Sequence, residues 1–231
     1  MRSQACHEQS RSSTIAEQLV SVPAASVTLD GNLTIPADAR AMALFAHGSG
    51  SSRHSPRNRH VARVLNEAKL ATLLIDLLTL HEEVVDSSTA HMRFDICLLA
   101  ERLVDTTDWL TQFPDTKNFP IGYFGASTGA AAALTAAAIR PDPVGAIVSR
   151  GGRPDLAGAA LTRVRAPTLL IVGEDDKQVL ELNRSALAQL RCETQLAIVP
   201  AATHLFEEPG ALDEVARLAR AWFKRYLIVA A

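Results

Sequence analysis

Cysteine is scarce in this 231-residue chain. Cys6, Cys97 and Cys192 stand far apart with no C-x-x-C pair, which argues against a disulfide framework or a zinc knuckle and suits reduced thiols in a cytoplasmic protein. An excess of charge is missing too: 23 Lys and Arg against 25 Asp and Glu leave a formal net charge of -2. With no surplus positive field to neutralise phosphates, no nucleic-acid partner is expected, and anionic membrane surfaces are disfavoured. The longest apolar run, Ala130 to Ile139, is dominated by alanine and is about half the length needed to cross a bilayer, so no membrane contact is expected. Met1 to Thr14 is polar and lacks the apolar stretch of a secretory signal, so the expected location is cytoplasmic.

What the chain does have is core material: 48% of its residues are hydrophobic. Residues 1–14 read as a disordered lead and 15–231 as a single domain. Short β-branched or Leu-rich runs alternate with segments of helical period, the rhythm of a mostly parallel sheet with helices on both faces. Gln18 to Val22 and Ser26 to Ile35 predict an antiparallel edge, the second strand turning at Asp30-Gly31-Asn32. Further strands are predicted at Met42 to Ala46, Ala71 to Leu77, Phe119 to Phe124, Gly145 to Ser149, Thr168 to Val172 and Gln195 to Val199. Helices are predicted from Ser55-Pro56 to Ala68, His91 to Phe113, Ser127 to Arg140, Leu180 to Gln189 and Leu212 to Tyr226. Leu227 to Ala231 reads as a docked or frayed apolar tail, and the sequence is compatible with a monomer or a homodimer.

The chemistry begins where the strand Phe119 to Phe124 runs into Gly125-Ala126-Ser127-Thr128-Gly129 before a strong helix former. A G-x-S-x-G between strand and helix is the pattern of a nucleophile elbow. The turn is too sharp for side chains two residues either side of the serine, and it lifts the hydroxyl clear of the sheet at a helix N-terminus. A serine hydroxyl needs a base to take its proton and a carboxylate to orient that base. The strand Thr168 to Val172 ends in Gly173-Glu174-Asp175-Asp176, and Gln195 to Val199 ends in Pro200-Ala201-Ala202-Thr203-His204. The order serine, acid, histidine is thus met, with Asp176 as the acid and Asp175 the alternative, all at the sheet edge where ligands bind in such folds. Oxyanion donors are expected from the backbone N–H groups of Ser49 and Thr128, with Gly50 the alternative to Ser49. Gly48 and Gly50 allow the backbone to approach a bound acyl group.

These residues resemble the α/β-hydrolase superfamily, and more narrowly its dienelactone-hydrolase-like branch. The pieces that carry the resemblance are His47-Gly48-Ser49-Gly50-Ser51-Ser52-Arg53, the elbow, Ser149-Arg150-Gly151-Gly152-Arg153-Pro154, the G-x-x-D-x-x-V spacing of Gly173, Asp176 and Val179, and Thr203-His204-Leu205-Phe206-Glu207-Glu208. They span about residues 40 to 225 and also resemble a hydrolase module sometimes joined to a phosphoribosyltransferase, here expected to stand alone. The resemblance implies an α/β-hydrolase fold and supports Asp176 as the acid. Ser127 stands where dienelactone hydrolases carry cysteine, which favours ordinary carboxylic esters. Ala126 stands where many esterases have His or Tyr.

Only Arg150 to Pro167 separates two strands where relatives insert a cap, so no cap domain is expected and the pocket should take small or short-chain esters. Arg53, with His54 and Arg57 after the oxyanion loop and Arg150 and Arg153 after the neighbouring strand, could meet an anionic ester substituent or lie solvated. His81, Glu82, Glu83 and His91 lack H-E-x-x-H spacing and read as a solvated loop, so no metal is expected. The expectation is a serine carboxylesterase with a small-molecule ester substrate and no cofactor. Alternatives are an acyltransferase, lactonase or amidase using the same three residues, or a non-catalytic ligand-binding relative.

Overall fold

The computed structural model describes residues 16–228. The predicted lead over 1–14 and the end of the apolar tail lie outside the described residues. Eight strands form one sheet: β1 (Glu17–Ala24), β2 (Val27–Thr34), β3 (Met42–Ala46), β4 (Ala71–Ile75), β5 (Ile121–Ala126), β6 (Val144–Arg150), β7 (Thr168–Gly173) and β8 (Thr194–Val199). Their order across the sheet is β1-β2-β4-β3-β5-β6-β7-β8. β1 and β2 are antiparallel to each other and β2 to β4, and every other pairing is parallel. This is the expected α/β-hydrolase arrangement with an antiparallel edge.

The parallel strands are apolar runs because both their faces are covered. Along β3 the side chains of Met42, Leu44 and Ala46 enter one core, and those of Ala43 and Phe45 the other. Helices α1 (Pro56–Glu67) and α6 (Ala211–Leu227) cover the face that holds Phe45, whereas α3 (Ile96–Leu110), α4 (Thr128–Ile139) and α5 (Lys177–Leu187) cover the other. Ser55 caps α1 and Pro56 opens it, as the sequence predicts. Alanines fill α4, which is buried almost all round, so small side chains let it lie close on the sheet.

Two expectations are corrected. The edge hairpin turns at Ala25-Ser26, where Ala25 has φ 49°, and β2 runs straight through Asp30-Gly31-Asn32. Gly31 serves a close approach instead: a Cβ there would lie 2.8 Å from Leu73 Cδ1. The segment predicted to be a solvated loop holds a helix, α2 (Leu80–Thr89). It starts with a capping box in which Thr79 Oγ1 accepts from the Glu82 N–H (3.2 Å) and Glu82 Oε2 accepts from the Thr79 N–H (2.8 Å). Between β6 and β7 the chain makes only short 3-10 turns over Pro154–Arg163, kinked at Gly158, and no cap.

Candidate active site

The parallel strands all end at one edge, and the site is assembled from their ends. β5 delivers Ser127 with φ 51° and ψ -121°, a conformation a non-glycine residue adopts only when its surroundings enforce it. The flanking glycines show how tight the elbow is. A Cβ on Gly125 would sit 2.4 Å from Ala130 Cα, and one on Gly129 2.3 Å from the Ala46 carbonyl oxygen. Ser127 then stands at the N-terminus of α4, where free N–H groups favour negative charge.

β7 and β8 deliver Asp176 and His204, the candidate acid and base. Asp176 Oδ2 lies 2.6 Å from His204 Nδ1. The other carboxylates of the cluster are engaged elsewhere: Glu174 accepts from the Ala201 N–H at 3.0 Å, and Asp175 pairs with Lys177 at 3.6 Å. With Nδ1–H donated to Asp176, Nε2 is the basic nitrogen of the ring. Ser127 and His204 each lie against the Arg150-Gly151 dipeptide at the end of β6. The Ser127 N–H donates to the Arg150 carbonyl at 3.2 Å, and a Cβ on Gly151 would lie 3.5 Å from His204 Cε1.

The loop after β3 supplies the opposite wall. His47 is buried. Its Nε2 accepts from the Leu77 N–H at 3.0 Å, and Nδ1 lies 3.0 Å from the Gly48 carbonyl to which it donates. Burial pulls its pKa below the ordinary value, so the neutral ring fits this donor and acceptor pair. A Cβ on Gly48 would be 3.0 Å from Ser127 Cβ. The Ser49 N–H donates to Thr128 Oγ1 at 2.9 Å. Gly50, with φ 68°, turns the loop back over a cavity of about 310 Å³.

Gly48, Ser49, Gly50 and Thr128 line that cavity, with Leu78 and Leu99 as its apolar surface and Glu83, Asp86 and Arg93 as its polar wall. The sequence carries little sign of that wall, because α2 has no apolar stripe and the Thr79 and Glu82 capping pattern is its one signal. Buried Arg102 holds α2 in place, binding Glu82 Oε1 at 2.5 Å and the Leu77 carbonyl at 2.5 Å. Desolvation, then the nearby charge of Asp76, raises the pKa of Glu83.

Of the arginines named from sequence, Arg53 is held away from solvent by a carboxylate. Asp76, just past β4, captures it: the Arg53 N–H donates to Asp76 Oδ1 at 2.6 Å and the guanidinium pairs with Oδ2. Arg53 is not among the residues lining the cavity. Arg153 pairs with Asp155 at 2.8 Å. Among the described residues no group of three or more His, Cys, Asp or Glu side chains is placed to hold a metal ion, and no helix is long and apolar enough to cross a membrane.

The profile of the dienelactone hydrolase family matches residues 83–227. The chain belongs to the dienelactone hydrolase family. A crystal structure of dienelactone hydrolase from Anabaena variabilis is 62% identical, with a TM-score of 0.91 over 92% of this chain and 99% of that one. A serine hydrolase without a lid from Xanthomonas campestris shares the fold at 18% identity, with a TM-score of 0.72 over 93% of this chain and 97% of that one. A Mycobacterium tuberculosis protein provisionally named a phosphoribosyl transferase is 57% identical over 213 residues, which are 92% of this chain and 47% of the relative. The chain therefore spans about half the length of the curated relatives it matches.

Proposed function

We propose that this member of the dienelactone hydrolase family is a serine carboxylesterase that cleaves small or short-chain carboxylic esters through an acyl-enzyme. The observation that carries the reading is the 2.6 Å contact between Asp176 and His204 Nδ1 at the sheet edge where Ser127 stands on its elbow. Ser127 Oγ attacks the ester carbonyl carbon while His204 Nε2 takes its proton. The carbonyl π pair moves onto oxygen, facing the N–H of Thr128 and the loop after β3, where Gly50 offers the alternative N–H while Ser49 donates to Thr128 Oγ1. The tetrahedral adduct then collapses, the C–O bond to the alcohol breaks, and His204 returns the proton to the departing oxygen. Water repeats the sequence on the acyl-enzyme and frees the acid. Asp176 holds the ring's tautomer and offsets the charge it gains.

The cavity of about 310 Å³ beside the oxyanion loop is at the small end for a ligand site and suits a short acyl group. Free thiols at Cys97 and Cys192 support the expected cytoplasmic setting. The name of the mycobacterial relative belongs to a protein about twice as long, and the residues gathered here are those of acyl chemistry. A second reading, a lactone as the scissile ester, draws on the name of the Anabaena relative.

The deciding experiment is hydrolysis of p-nitrophenyl esters of two to twelve acyl carbons, with a small lactone in parallel, by the parent and Ser127→Ala. Turnover confined to short chains and lost by several orders of magnitude in the variant is the expected result. A variant that keeps its rate removes Ser127 as nucleophile. Lactone turnover without ester turnover selects the second reading.

A further inference from the structure

Arg150 closes β6, and its side chain follows those of Ala146 and Val148 onto the α1 and α6 face of the sheet. It is 7% exposed. Its Nε and Nη1 are buried without a hydrogen-bond partner. The other arginines around the site each hold a carboxylate: Arg53 has Asp76, Arg93 has Asp86, Arg102 has Glu82 and Arg153 has Asp155. Among the described residues Arg150 forms no such pair. The Phe206 ring lies 6.0 Å from its guanidinium carbon, at the outer reach of a cation–π contact.

The charge that bears on Arg150 has the same sign. It is Arg57, on the first turn of α1. Burial, then this neighbour, brings Arg150 down to about 10, which leaves it charged at neutral pH. The Arg57 Nε is also buried without a partner, and its Nη1 reaches only a largely exposed Glu207, at 3.4 Å. A buried cation without a counter-charge is strongly unfavourable, and a second cation beside it worsens the balance. An anion between them would reverse the sign of that term, and two guanidinium forks suit a compact oxyanion.

The position bears on the reaction. Arg150 receives the Ser127 N–H at its carbonyl, and the next residue, Gly151, packs on His204. The cavity by the oxyanion loop is lined from the α2 and α3 side, whereas Arg150 and Arg57 belong to the α1 and α6 side. We propose that Arg150 and Arg57 form an anion-binding site that takes a carboxylate or phosphate group on the half of the substrate that does not enter the cavity. This deepens the ester reading and rests on it for the word substrate; the anion site itself does not.

The test is calorimetric titration of the full chain with inorganic phosphate and with succinate, for the parent, Arg57→Gln, Arg150→Met and the surface control Arg184→Gln. At least one oxyanion should bind the parent and the control alike. Affinity should fall at least fivefold in Arg57→Gln and tenfold in Arg150→Met, and the tighter of the two anions identifies carboxylate or phosphate. Arg57 is partly exposed, so its variant carries the test if Arg150→Met does not fold. In kinetics, KM for 4-butyryloxybenzoate should rise at least fivefold in Arg57→Gln, with KM for the uncharged phenyl butyrate within twofold. If neither anion binds the parent, or binding survives in Arg57→Gln, the proposal is overturned whatever the esterase assay shows. If binding is lost as expected while no ester is cleaved, the anion site stands and the ester reading falls.

Discussion

The Ser49 N–H donates to the Thr128 hydroxyl oxygen at 2.9 Å, so the bond ties the loop after β3 to the elbow before substrate arrives and engages the Ser49 N–H, leaving Gly50 as the alternative oxyanion donor. The Thr128 oxygen accepts that bond and keeps its own O–H proton free to donate. Thr128 therefore acts as a positioning residue for the loop. Thr128→Val removes the acceptor at nearly constant shape and should lower kcat about tenfold, or roughly 1.4 kcal/mol of barrier, with KM little changed. Thr128→Ser keeps the oxygen and should stay within about threefold. Equal losses in both variants would mean that packing, not the hydroxyl, is what matters.

The bond between Asp176 and His204 makes a sharper demand. Asp176→Asn preserves volume but presents an amide that can donate to Nδ1, favouring the tautomer with its proton on Nε2. The ring could then no longer accept from Ser127. The expected loss in kcat is about 10⁴, with the fold unchanged by circular dichroism. Asp175→Asn, which alters an exposed carboxylate paired with Lys177, should leave kcat within about twofold. Reversed outcomes would exchange the two acids.

Much of this site was legible because each chemical residue follows a strand, and strands announce themselves as short apolar runs between glycine and proline. The candidates Ser127 and His204 come from that context and their order, and Asp176 over Asp175 from the family resemblance as well. What failed was local signal overridden by packing. Asp30-Gly31-Asn32 has turn composition, yet Gly31 lies within a strand because Leu73 leaves no room for a side chain. Helix α2 has no apolar stripe to detect: Leu80, Val84 and Val85 are exposed, and its buried residue is Asp86, held by Arg93. The burial of Arg150 and the reach of the Thr128 side chain to Ser49 depend on residues distant in the chain, and neither composition nor period carries them.

Helix α2 should be tied down chiefly through Glu82, which joins the capping box and pairs with buried Arg102. Glu82→Ala leaves that guanidinium with the Leu77 carbonyl alone. Breaking one side of a buried pair costs about 3–5 kcal/mol, and here the upper part of that range should be moderated by Glu82's partial exposure. Urea unfolding measures it. Since α2 forms the polar wall of the cavity, KM for short esters should rise severalfold while kcat changes less. Unchanged KM alongside lost stability would place α2 outside the binding surface.

His47 gives the acid limb of stability a definite sign. Its folded pKa lies below the ordinary 6.5 because burial disfavours the charged ring, so below that pH the unfolded chain binds a proton that the folded chain refuses. Stability from this group is complete above about 6.5 and is lost as pH falls toward the depressed folded value. The slope from one proton is at most about 1.4 kcal/mol per pH unit. Urea unfolding at pH 7.5 and 5.5 should show the parent losing more stability than His47→Gln, which has no titrating ring. The variant should start lower at pH 7.5, because the Leu77 N–H and the Gly48 carbonyl lose a partner of fitted shape. Identical pH slopes would show that His47 is protonated equally in both states and does not lock the oxyanion loop as a neutral ring.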